Sequence, residues 1–156
     1  MSMEPDKQKA TEFKLERYKY ILQQLNSLNE NHHKYVTLFQ TLSAAVLGAG
    51  VALFVAWREL KIDAQTARVG LRGLFGLFLL LVVFLAASIV VSVISWIDYR
   101  KEEVDLLNAE VGVGFRKLPD IRNFWRWPEF YLLISLLAVA IIVYIFLEYG
   151  FIPLIK

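Results

Sequence analysis

Three stretches of the chain carry no charge. They cover residues 35–57, 73–97 and 130–147 and are 23, 25 and 18 residues long. All 17 basic and 15 acidic residues lie outside them. A bilayer core about 30 Å thick needs roughly 20 apolar residues of helix. The first two stretches are long enough to span with some tilt. The third reaches that length because Tyr149, Phe151 and Ile152 continue it past Glu148. Hydrocarbon offers backbone N–H and C=O groups no partner, so each stretch is expected to be helical. A soluble bundle of three such helices would need more polar surface than a chain of 156 residues can supply. The expected spans are 35–57, 73–97 and 130–149, with an external loop at 58–72 and an external tail at 150–156.

The pattern outside the spans is also helical. Pro5 and Asp6 form a helix-start signal. Leu15, Tyr18, Leu22 and Leu25 then recur at intervals of 3, 4 and 3, the spacing of a coiled-coil seam. Leu28, His32, Tyr35, Phe39 and Leu42 carry nearly the same stripe into the first span, and no Gly or Pro interrupts from Asp6 to Leu47. After the second span, Val104, Leu107 and Val111 share a face, and Gly112 and Gly114 supply a stop. The expected fold is all-α, with three transmembrane helices. The first two are extended, as a long antiparallel hairpin with arms at 6–57 and about 70–111, into a small cytoplasmic helical layer. That layer comprises residues 1–34 and the first part of 98–129. The remainder of 98–129 contains FRKLPDIRNFWRWPEF, in which Pro119 and Pro128 break any long helix and cationic and aromatic residues alternate. This mixture suits a segment lying in the headgroup layer. It also has the look of a base-stacking surface, but it abuts a span, and nucleic acid is not expected as a partner.

Composition adds detail. The apolar fraction of 57% exceeds that of ordinary soluble domains, and the net charge of +2 gives no general affinity for nucleic acid. The chain has no Cys, which removes disulfides, thiol nucleophiles and thiolate metal sites. All four Trp fall at expected membrane edges: Trp57, Trp96, Trp125 and Trp127. Lys and Arg favour the cytoplasmic side, and they are more numerous before the first span and between the second and third than in the first loop and the tail with Lys156. The N-terminus is therefore expected inside, in the cell inner membrane. No secretory signal is read at the start, Met1-Ser2-Met3 lacks the Gly needed for myristoylation, and no prenylation Cys is present.

In the first span, Ala44, Gly48, Ala52 and Ala56 recur every four residues, the spacing at which small side chains let helix backbones approach in lipid. They and the Leu15–Leu25 seam are the candidate packing surfaces, within the chain or between copies. Little in the sequence points to catalysis. No ionisable group falls inside the three stretches. His32 and His33 are adjacent and diverge on a helix, a poor start for a metal site. Glu102, Glu103, Asp105 and Glu110 read as a solvated, salt-bridged helix face. Neither an enzyme nor a cofactor is expected. Gln40, Ser88 and Ser92 are the candidate lining of a weakly polar pore enclosed by several copies. Serines in helices also bond back to their own carbonyls.

The polar N-terminal helix, the two-span hairpin and the charged helix DYRKEEVDLLNAEV after it resemble, in layout, the small multi-span effectors and accessory proteins of bacterial defence systems with a SLATT-type hairpin. A third span after FWRWPEF departs from that layout. The resemblance implies a membrane-perturbing or sensor-coupled role. The expected function is a homo-oligomeric gated pore or membrane-perturbing effector controlled by a cytoplasmic partner. The alternative is a membrane anchor or scaffold subunit.

Overall fold

The computed structural model describes residues 5–112 and 114–155, with side chains from residue 9 onward. Met1-Ser2-Met3, the Lys7 side chain and Lys156 lie outside this description. The described chain is all-helical. Helix α1 spans Pro5–Leu60, α2 spans Ala64–Glu110 and α3 spans Pro128–Ile145. Each of the three contains a segment long and apolar enough to cross a membrane, the third when its C-terminal turns to Leu154 are included.

The boundaries have local causes. Only residues 61–63 separate α1 from α2. Lys61 takes a positive φ of 55°, which breaks the helix. Asp63 then caps α2, its carboxylate accepting from the Thr66 backbone N–H at 3.0 Å and from the Thr66 hydroxyl at 3.3 Å. The expected loop at 58–72 is thus mostly helix, because one left-handed residue and one cap suffice to end one helix and start the next. At the far end of α2, Gly112 (φ 134°) and Gly114 (φ 91°) adopt conformations that side chains resist, ending the helix as expected. The Gly114 N–H donates to the Asn108 side chain at 3.2 Å. A short 3-10 turn at Ile121–Arg126 follows. Pro128 opens α3, where a missing N–H costs nothing. Beyond α3 the chain continues through a π-helical turn at Phe146–Phe151 and a 3-10 turn at Ile152–Leu154.

The contacts divide the chain into two compact units, Met1–His33 with Val90–Phe124, and Lys34–Ile89 with Trp125–Lys156. Among the described residues of the first unit, the buried apolar ones are Ile21, Leu25 and Val104. Tyr20 meets Tyr99 edge to face at 6.4 Å, and Lys14 and Arg17 reach Glu110 and Glu102 at 2.6 Å and 2.5 Å. In the second unit Ala67, Leu71, Leu147 and Ile155 form a buried cluster, with Phe54, Trp57 and Phe75 packed against it. Aromatic contacts extend this packing: Phe39–Phe78 at 6.2 Å, Tyr35–Phe84 at 6.3 Å, Phe75–Tyr144 at 5.8 Å and Phe54–Phe151 at 4.9 Å.

Candidate functional site

The first unit is built around a buried carboxylate. Glu103 has no exposed surface, although its neighbours Glu102 and Asp105 lie at more open positions. A lone buried carboxylate would be costly, so it requires partners. One oxygen pairs with Arg100, one helical turn earlier, and the other accepts from Arg116 Nη1 at 2.7 Å. Arg100 in turn lies over the Trp96 ring, 5.0 Å from its centroid. Trp96, expected as an interfacial anchor, thus also buttresses an ion pair. Arg116 comes from the connection after α2, so the pair ties that connection to the helix. The reading of the acidic face as solvated and salt-bridged is corrected at Glu103: it is salt-bridged but buried. The exposed pairs Lys14–Glu110 and Arg17–Glu102 fit the original reading. The Tyr99 hydroxyl is held above its ordinary pKa, first by a hydrogen bond with Tyr20 and then by burial.

The expected Leu15–Leu25 seam is partly displaced. Leu25 is buried, Tyr18 and Leu22 are half-buried, and Leu15 is 53% exposed. The residue at the centre of the contact is Ile21, fully buried and outside the expected stripe. Val104 is buried and Leu107 half-buried, but Val111 points outward. His32 and His33 meet edge to face, with centroids 6.1 Å apart. Among the described residues no group of three or more His, Asp or Glu is placed to hold a metal ion.

In the second unit the end of the chain is clamped onto α2. Arg68 Nε donates to the Ile155 carbonyl at 3.1 Å, and its Nη2 bonds the same oxygen. Arg72 forms a two-pronged pair with Glu148 at 3.0 and 3.1 Å. The acidic residue that ends the third uncharged stretch therefore has a cation waiting on α2. Between Gly50, Leu71, Phe75, Phe146, Leu147 and Phe151 lies an apolar groove of about 220 Å³. Gly70 of α2 faces the tip of Leu53 on α1, where an added Cβ would stand 2.6 Å from Leu53 Cδ2 and displace that side chain.

The small-residue face is not used in this packing. Ala44, Gly48 and Ala52 are exposed, Ala56 is half-buried, and a Cβ added to Gly48 would meet nothing within 4 Å. Helix α1 packs instead through Gly50, Leu53, Phe54 and Trp57. Of the candidate pore residues, Gln40 is exposed and Ser92 half-buried. Ser88 donates to the Phe84 carbonyl at 2.8 Å, the local back-bond that competes with pore lining. Ser43 is buried, and its hydroxyl has no hydrogen-bond partner among the described residues. Trp125 is 57% exposed with Arg126 near its ring, Trp127 is half-buried at the start of α3, and Trp57 packs into the core cluster. Sequence reasoning missed Ile21, the Glu103–Arg116 tie and the Arg68 clamp. For Arg72–Glu148 a signal existed, since each borders an uncharged stretch.

The fold and these features define an all-helical protein with three helices able to cross a membrane. No protein-family model, curated protein or solved structure matches the chain.

Proposed function

We propose that the chain is a multi-pass protein of the cell inner membrane with a cytoplasmic N-terminus, working as a homo-oligomer. In this reading α1 and α2 form a long antiparallel hairpin whose outer ends make a cytoplasmic layer. Its role is a gated pore or membrane-perturbing effector, controlled by a cytoplasmic partner through that layer. The observation that carries the reading is the uncovered face of Ala44, Gly48 and Ala52 in an otherwise apolar span. Lipid gives helices no hydrophobic reason to associate, so a small-residue face at this spacing favours close backbone packing against another copy. Three spans enclose no pathway alone, whereas a ring of copies does. Gln40 and Ser92 are the polar groups available to line it, and the apolar majority of the spans would hold it closed until triggered.

A second reading, a membrane anchor or scaffold subunit, is favoured by the first unit. Its buried Glu103 pair and exposed ion pairs give a charged helical platform on which a soluble protein could dock. Dye release from reconstituted liposomes separates the two. The pore reading predicts release that depends on protein density and stops in Gly48→Leu. Intact liposomes, together with co-purification of a soluble protein, would favour the scaffold.

A further inference from the structure

The connection from α2 to α3 carries basic residues that differ in whether an acidic group holds them. Arg116 is 44% exposed, but its Nη1 donates to the buried Glu103 carboxylate. Its neighbours are turned out: Phe115 is 67% exposed, Leu118 54% and Ile121 56%, three large apolar side chains with no cover. Lys117 and Arg122 are exposed among them, and neither forms an ion pair among the described residues. The one acid in this stretch, Asp120, is occupied locally, accepting from the Arg122 N–H at 3.0 Å and the Asn123 side chain at 2.9 Å. The stretch joins two helices that are each able to cross a membrane.

We propose that residues 115–122 are a docking surface for anionic phospholipid headgroups, with Phe115, Leu118 and Ile121 entering the interface and Lys117 and Arg122 meeting the phosphates. Arg116 is a positioning residue that ties the loop to Glu103. The occupant follows from charge complementarity: exposed cations among apolar side chains match a negatively charged headgroup layer and its apolar margin. The inference rests on the membrane reading above, but not on the pore. A protein that inserts but ignores lipid charge would defeat this proposal alone.

The chain has no Cys, so Leu118→Cys gives a unique thiol for an environment-sensitive fluorophore. The full chain is reconstituted in phosphatidylcholine vesicles and in equimolar phosphatidylcholine–phosphatidylglycerol vesicles. Acrylamide, a neutral quencher, reports the exposure of the label. In the anionic vesicles the emission should shift to the blue and quenching should fall, and high salt should reverse both. Lys117→Gln and Arg122→Gln should each weaken docking roughly fivefold, and Lys117→Arg should restore it. Far-ultraviolet circular dichroism checks that these exposed-site variants keep their helix content. Equal exposure in both vesicles, or shielding unaffected by the two Gln variants, would overturn the proposal. So would shielding in neutral vesicles by added single-stranded RNA but not by anionic lipid.

Discussion

Glu103 is the residue on which the first unit depends most. Its two oxygens are both paired and it has no exposed surface, so removing it leaves Arg100, only 17% exposed, without its counter-charge. Breaking a buried pair costs about 3–5 kcal/mol, whereas an exposed pair contributes about 1 kcal/mol or less. Glu103→Ala should therefore lower the thermal midpoint sharply in detergent micelles. Glu102→Ala, whose pair with Arg17 is 39–45% exposed, should barely move it. Equal effects would mean that the Glu103 cluster does not organise the unit. The sequence did not separate these two adjacent glutamates. The difference comes from Arg116, 13 residues further on, and from Val104 beside it.

At the scale of elements, the two glycines Gly48 and Gly70 should behave oppositely. Gly70 sits against Leu53, so Gly70→Leu forces overpacking that costs about 1–3 kcal/mol. Gly48 faces open space, so Gly48→Leu should leave the single chain as stable as before, or slightly more so through helix propensity of about 1 kcal/mol. Thermal unfolding of both variants, at a detergent dilution where the protein is a single chain, checks this. A large loss in Gly48→Leu alone would place the α1 contact on the wrong face. The three apolar helices were legible because the absence of charge over a span is a compositional fact that needs no knowledge of packing. The α2 stop was legible because Gly112 and Gly114 take conformations few other residues tolerate. The packing register was not. Ile21 and Leu22 are adjacent and both apolar, and only the helix facing α1 decides which is buried. The turn at 61–63 was hidden because Lys61, not Gly or Asn, takes the left-handed conformation.

At the scale of the whole molecule, the proposal is that the apolar helices span a membrane with their small-residue face uncovered within one chain, and that the charged unit meets partners. The central claim is that copies of the chain cover that face for one another. The most direct measurement is the mass of the protein in lipid nanodiscs, by light scattering corrected for bound lipid, for wild type and Gly48→Leu side by side. The account predicts a wild-type mass that is a multiple of the 18.0 kDa chain, large enough for a ring, and a smaller mass for Gly48→Leu. A wild-type mass of one chain, or a ring unchanged by Gly48→Leu, would contradict it.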